Sequence, residues 1–210
     1  RIADCEGLLS LLTDEVDGAL MDAAPKLKVV SNYAVGFNNI DVDAATERGI
    51  LVGNTPGVLT GTTADLAWSL LMSIARRIVE GDKYVRARMW KTWEPQLLLG
   101  NDVYEATIGI IGFGRIGQAM ARRAAGFDMR IVYTDIERNE QAEEETGAEF
   151  MQLEELLQAA DFVTIHTLLN DDTFHLIGRR EFELMGPDSY LINPSRGPVV
   201  DEAALYEALK

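Results

Sequence analysis

Thr107-Ile108-Gly109-Ile110-Ile111-Gly112-Phe113-Gly114-Arg115-Ile116-Gly117-Gln118-Ala119-Met120 is the stretch that decides the fold of this chain. It opens as an uncharged apolar run, the pattern of a strand buried on both faces. Gly112, Gly114 and Gly117 follow at G-x-G-x-x-G spacing, and a helix begins. Each glycine has a physical reason. Gly112 lets the chain turn tightly off the strand, Gly114 lets a ligand approach the backbone, and Gly117 lets the helix pack closely on the sheet. A second apolar run, Met129 to Thr134, ends at Asp135, 18 positions after Gly117.

The first N–H groups of a helix lack partners, and its dipole is positive at that end, so the turn favours a phosphate. A glycine turn alone also serves as a plain connector. Here strand, turn, helix, second strand and terminal acid occur in the order of a dinucleotide site. Gly112, Gly114, Arg115, Ile116 and Gly117 would cradle a pyrophosphate, and Asp135 would accept hydrogen bonds from the adenosine ribose. A carboxylate at 135 repels a 2′-phosphate and Glu137 adds negative charge, which favours NAD over NADP. Arg138 is the one nearby residue of opposite sign and is discounted.

The alternation continues on either side of this stretch. Gly7 to Leu12, Leu27 to Ser31 and Ile50 to Val52 read as strands, with helices at Glu15 to Ala24 and Asp41 to Arg48. Asn54-Thr55-Pro56-Gly57 is a turn cluster and a hinge. Thr60 to Glu80 reads as one long helix with Leu66, Leu70, Ile74 and Ile78 on its apolar face, and Gly81 to Trp90 as a further helical piece. Beyond Asp135, helices are expected at 138–146, 153–159 and from about 201, and strands at 161–166 and 189–193. The pattern predicts an α/β fold: a doubly wound parallel Rossmann-type sheet in residues 101–210, preceded by part of a smaller flavodoxin-like α/β domain in residues 1–54. Residues 55–100 would form the hinge and an interdomain helix.

Composition bounds the function. With 34 acidic against 19 basic residues, the formal charge of −15 argues against nucleic acid or an anionic membrane as partner. No apolar run approaches membrane-spanning length. The single cysteine, Cys5, excludes an intrachain disulfide, suits a reducing cytoplasm, and reads as a small buried apolar residue. Glu143-Glu144-Glu145 reads as a solvated helix face, and no His/Cys/Asp cluster has metal-ligand spacing. Trp68, Trp90 and Trp93 read as packing, and His175 as solvent-facing.

Asn193-Pro194-Ser195-Arg196-Gly197 follows the last strand, where ligands of open parallel sheets sit. An arginine there suits bidentate grip of a carboxylate, or pairs on the surface with Asp201 or Glu202. With Val35-Gly36-Phe37-Asn38-Asn39-Ile40-Asp41, Asn54-Thr55-Pro56, the glycine motif ending at Asp135, and Asp161-Phe162-Val163-Thr164-Ile165-His166, the chain resembles the D-isomer-specific 2-hydroxyacid dehydrogenases. The likeness spans essentially all 210 residues. It is closest to the glyoxylate/hydroxypyruvate reductase branch through Gly81-Asp82-Lys83-Tyr84-Val85-Arg86, Trp90-Lys91 and Leu99 to Tyr104.

The resemblance implies hydride transfer between NAD and a small 2-oxo or D-2-hydroxy acid. Arg196 would bind the substrate carboxylate and polarise the C2 carbonyl, and the backbone N–H groups of Val35 and Gly36 would hold the carboxylate from the other domain. Thr63, Pro194 and Ser195 would meet the nicotinamide half, and His166 the adenosine pocket. Thr63 also reads as a helix cap and His166 as hydrogen-bonded scaffold. The family pairs through the long helix, so a homodimer is expected. The catalytic glutamate and histidine of the family lie beyond the Arg-Gly segment. The chain starts at Arg1 and ends at Lys210 in a helical pattern, so it is expected to be a fragment nearly inactive alone. Leu168 departs from the proline usual after the strand-end histidine, Asp65 from a glutamate, and Pro194 from a small residue. An NAD(H)-sensing corepressor, or a dehydrogenase for phosphoglycerate, formate or phosphite, are the competing readings. Phosphoglycerate would need basic residues that Tyr33 to Asn39 lacks.

Overall fold

A computed structural model of the chain describes residues 2–210, which divide between Leu59 and Thr60 into two compact units. In the first, β1 (Gly7–Ser10), β2 (Val29–Asn32) and β3 (Leu51–Gly53) form a parallel sheet in the order β1-β2-β3. Helices α1 (Gly18–Asp22) and α2 (Val42–Glu47) connect them. Met21 and Ala45 from the helices close a core with Val16, Val30, Ile40 and Ile50. Asp41 caps α2 by accepting from the Ala44 N–H at 2.8 Å. Helix α1 is shorter than the expected 15–24. Val16 bridges to Ile40 as extended chain, and the Asp17 carboxylate then caps the helix through the Leu20 N–H.

The second unit contains α3 (Thr60–Ala75), α4 (Ile78–Arg86), β4 (Thr107–Ile111), α5 (Arg115–Ala125), β5 (Arg130–Thr134), α6 (Glu140–Thr146), β6 (Glu149–Phe150) and α7 (Leu153–Ala159). It continues with β7 (Phe162–Ile165), α8 (Arg179–Leu184), β8 (Tyr190–Ile192) and α9 (Glu202–Ala208). The strands form one parallel sheet in the order β6-β5-β4-β7-β8, the doubly wound Rossmann arrangement, with the order reversing at β4. Residues of β4 alternate between two cores. Ile108 and Ile110 face the side of α5, and Ile111 packs with Leu156 and Leu157 of α7. Gly109 is on that second side, where a Cβ would lie 2.5 Å from a Leu156 methyl.

The expected long helix differs in extent and in orientation. It ends at Ala75, Arg77 takes a left-handed conformation (φ 52), and α4 restarts at Ile78. The buried stripe is Ala64, Ala67, Leu71 and Ala75, each 0% exposed, while Leu66, Leu70, Ile74 and Ile78 are about half exposed. Both stripes have helical spacing, so periodicity does not rank them. The small residues win because α3 lies against Ala121 and Ala124 of α5, where close approach of the two helices needs short side chains. The break is fixed from outside, since the Ala75 carbonyl accepts the Asn101 N–H at 2.9 Å. Arg76 ties the same junction through Asp102 at 2.6 Å.

Other expectations are corrected. Cys5 is exposed, not buried. Trp68 packs on Phe127 with centroids 4.9 Å apart, but Trp90 and Trp93 are exposed. His175 is exposed, in line with its solvent-facing reading, and stacks on Phe174. Strand β6 and helix α8 fall where the sequence pattern assigned no element. No helix among the described residues is long and apolar enough to cross a membrane.

A Cβ at Gly100 would lie 2.3 Å from the Ala75 carbonyl oxygen. Gly100→Ala should therefore push residues 100–102 off the end of α3 and lower unfolding stability by about 1–3 kcal/mol, read from urea denaturation.

Candidate functional site

The switch point of the sheet lies where β4 runs into Gly112. Gly112 has φ +90, and a Cβ there would come within 2.8 Å of the His166 backbone. A Cβ on Gly117 would lie 2.2 Å from the Gly112 carbonyl oxygen. The turn and the start of α5 are thus pressed together, backbone on backbone. At Gly114, by contrast, an added Cβ meets nothing within 4 Å, so space is open in front of the turn. Gly114 is also the N-cap of α5 and supplies no side-chain partner, which leaves the first N–H groups, those of Arg115, Ile116 and Gly117, to an outside acceptor.

Asp135 closes this turn from the end of β5. Its Oδ2 accepts the Phe113 N–H at 2.6 Å and its Oδ1 the Ile136 N–H at 2.7 Å. The carboxylate is thereby oriented at the lip of a cavity of about 800 Å³ lined by Gly114, Gln118, Asp135, Glu137, Arg138 and Glu140, among others. The expected solvated face holds at Glu144 and Glu145 and is corrected at Glu143. Glu143 is only 15% exposed and receives Arg138 Nε at 2.8 Å, Arg138 Nη2 at 2.7 Å and the Tyr133 hydroxyl at 2.8 Å. The Arg138 hydrogen bonds hold its carboxyl below the ordinary range; burial opposes them, and the Tyr133 hydrogen bond and the Arg138 charge add to the lowering.

On the β7 side a second cavity, of about 430 Å³, is lined by Gly112, Asp135, Leu153, His166, Thr167, Leu168 and Leu176, among others. His166 Nε2 lies 2.9 Å from Thr164 Oγ1, and burial pushes the imidazole down to about 4, so it is neutral at pH 7. The Thr167 hydroxyl oxygen is buried without a hydrogen-bond partner. Leu168 stands without the rigidity of a proline, but its carbonyl accepts the Thr173 hydroxyl at 2.6 Å, and Asn170 and Thr173 bond each other's N–H groups.

Arg196 follows β8 on a turn organised by Asn193. The Asn193 carboxamide oxygen accepts from Ser195 N at 3.0 Å and Ser195 Oγ at 2.6 Å, and its nitrogen donates to the Arg196 carbonyl at 2.8 Å. Pro194 sits within that turn. Arg196 is partly buried, and its Nη1 donates to the Ser195 carbonyl at 3.0 Å. Thr63 lies in the first turn of α3, inside the helix and not at its cap. Asp65, two residues on, pairs with Arg123.

In the first unit three successive carbonyls of the loop after β2 are pinned. Ala34 O accepts Thr55 N at 2.8 Å, Val35 O accepts Asn54 Nδ2 at 2.7 Å, and Gly36 O accepts Asn32 Nδ2 at 2.9 Å. Asn32 is fully buried and is itself held by Ser10 and Asn39. Among the described residues the N–H groups of Val35 and Gly36 donate to no partner.

The model of the NAD binding domain of D-isomer specific 2-hydroxyacid dehydrogenases matches residues 68–210. The chain belongs to this family. It is 56% identical over 211 residues to the glyoxylate reductase of Korarchaeum cryptofilum, covering 100% of this chain and 64% of that protein. The TT0316 protein of Thermus thermophilus superposes with a TM-score of 0.92 at 45% identity, covering 100% of this chain and 66% of that one. A D-lactate dehydrogenase from Aquifex aeolicus, solved with NAD and lactic acid, superposes with a TM-score of 0.92 at 29% identity, covering 99% and 62%. The chain thus spans about two thirds of the length of the dehydrogenases it matches.

The residues of the NAD-binding domain fit a dinucleotide by their chemistry. The open space at Gly114 and the uncapped helix N–H groups suit a phosphate, and the Asp135 carboxylate and the unpartnered Thr167 hydroxyl are polar groups able to meet a ribose or phosphate. Sequence reasoning gave no role to Asn32 or Thr167, quoted Asn193 only as part of its motif, and read Glu143 as solvent-facing. Asn193 and Asn32 each follow or end an apolar strand, and an asparagine at a strand end was the available signal.

His166 makes stability depend on pH. Its folded pKa of about 4 is below the ordinary 6.5. Between those values the unfolded chain takes up a proton that the native state refuses, so stability falls as pH drops through that window, by up to about 3 kcal/mol. Urea titrations of wild type and His166→Asn from pH 7 to 4 should show a shallower acid loss in the variant.

Proposed function

We propose that this chain is the cofactor-binding and part of the substrate-binding portion of an NAD-dependent D-2-hydroxyacid dehydrogenase acting on glyoxylate or hydroxypyruvate. The observation that carries the substrate reading is the loop at Val35 and Gly36, whose carbonyls are all engaged and whose N–H groups are left for an anion. Such N–H groups suit a small carboxylate, as does, in the second unit, the Arg196 guanidinium. The family match and the names of the relatives support the reaction class.

When bound, NADH would supply the hydride to C2 of a 2-oxo acid. In this reading the Arg196 guanidinium anchors the substrate carboxylate and draws charge toward the carbonyl oxygen, which lowers the cost of the developing alkoxide. The N–H groups of Val35 and Gly36 are assigned, as the resemblance implies, to holding a carboxylate without adding a countercharge. Asn193 positions Arg196 by holding the turn, and Asn32 and Asn54 position the loop. His166, neutral and bonded to Thr164, serves the adenosine end. The proton for the alkoxide is assigned, as the resemblance implies, to the family's catalytic histidine, a role given to neither His166 nor His175. Residues 1–54 act as the substrate portion, 55–100 as hinge and long helix, and 101–210 as the NAD domain, in the cytoplasm. Arg196→Gln in the intact protein should lower kcat/KM for glyoxylate by about 10²–10³-fold with the NADH Kd unchanged. Unaltered turnover would sink the assignment.

A homodimer is part of the same proposal. Leu66, Leu70, Ile74 and Ile78 form a half-exposed apolar stripe, and Leu70 and Ile74 border a cavity of about 430 Å³ with Leu191 and Ile192. Leu70→Glu combined with Ile74→Glu should convert the intact protein to a monomer in sedimentation analysis while its circular dichroism is retained.

A further inference from the structure

The cavity that Asp135 overlooks contains one arginine among its lining residues, Arg138, beside Asp135, Glu137 and Glu140. A guanidinium in that place is the ordinary means of accepting a 2′-phosphate, because its fork matches phosphate oxygens bidentately. Here the fork is already filled. Nε and Nη2 of Arg138 meet both oxygens of Glu143 at 2.8 and 2.7 Å. The pairing follows from the helix. Arg138 precedes the N-cap Asn139, and Glu143 is the fourth residue of α6, two positions whose side chains meet over the first turn.

Glu143 is not free to yield the arginine. Its Oε1 also accepts the Tyr133 hydroxyl at 2.8 Å, and that hydroxyl oxygen in turn accepts the Asn139 N–H at 2.8 Å. Tyr133 is fully buried and stacks on Phe113 of the glycine turn at 3.9 Å between centroids. Arg138 is 57% exposed and Glu143 15%. The mobile partner is thus the arginine, and the anchored one is the carboxylate.

We propose that Glu143 is a specificity-determining residue: by occupying Arg138 it removes the only cation among the described residues that line the ribose cavity, and so keeps NADP out, in addition to the repulsion from Asp135. A 2′-phosphate carries about −1.5 to −2 charges. To engage Arg138 it would have to strip the guanidinium from a carboxylate that cannot follow it and would be left with Tyr133 alone. The inference rests on the NAD site above and concerns only its choice between two cofactors.

Equilibrium binding of NADH and NADPH to the intact protein, followed by nicotinamide fluorescence, tests it. Glu143→Gln keeps an acceptor for Tyr133 and releases Arg138; NADPH should tighten about tenfold, with NADH within about twofold. Adding Arg138→Ala to that variant should abolish the gain. Glu144→Gln, which removes an equal charge from an exposed neighbour, should produce none. Should Glu143→Gln not fold, Arg138→Ala alone decides. The proposal expects it to leave NADPH affinity unchanged, whereas a loss of about threefold or more would show that Arg138 already serves the phosphate. An unchanged NADPH Kd in folded Glu143→Gln, or a gain that survives without Arg138, overturns the proposal. Failure of the wild type to bind NADH at all would instead overturn the cofactor site itself.

Discussion

The close approach of backbone to backbone at the end of β4 is the constraint on which the cofactor domain depends. Gly112 turns with positive φ against the His166 strand end, and Gly117 leaves no room between α5 and the Gly112 carbonyl. No side chain larger than hydrogen satisfies both distances. Because α5 is pressed there, its Ala119, Met120, Ala121 and Ala124 enter the core beside Ala64, Ala67 and Leu71 of α3. The same placement aims the unpartnered N–H groups of α5 at the open space before Gly114. Packing and anion binding are therefore two results of one steric condition.

The chain carries a formal charge of −15, yet its cofactor is itself anionic. The geometry resolves this locally. Attraction comes from backbone dipoles at the glycine turn, which cannot be titrated and need no basic side chain. The carboxylate of Asp135 is held by the Phe113 and Ile136 N–H groups, and the nearby guanidinium of Arg138 is consumed by Glu143. In the loop at 34–36 the three carbonyls are tied back by Thr55, Asn54 and Asn32.

Asparagine amides, Asn32 buried and Asn193 partly so, do comparable work in both units. Asn32 ends β2 and holds the Gly36 carbonyl, and Asn193 follows β8 and holds the Ser195–Arg196 turn. In each case a polar group at the carboxyl end of a parallel strand converts an irregular loop into a fixed one, without adding charge to the site. An amide serves here because it donates and accepts at once, so one side chain satisfies two loop groups that would otherwise be stranded.

What the residues determined by themselves was everything local. Strand β4, the glycine turn, the start of α5, the cap of α2 at Asp41 and the acid ending β5 could all be read directly, since each depends on conformational preference or on spacing within one element. The family, the doubly wound sheet and the preference for NAD followed from those. Tertiary structure alone decided which of two helical stripes on α3 was buried, because the answer lies in the small residues of α5, far away in sequence. It alone stopped that helix at Ala75, through a hydrogen bond from Asn101, and took Glu143 out of solvent, through Tyr133. It also exposed Cys5, Trp90 and Trp93, whose apolar character said nothing of whether a neighbour would cover them. Periodicity names the faces a helix offers; only the partner's shape selects between them.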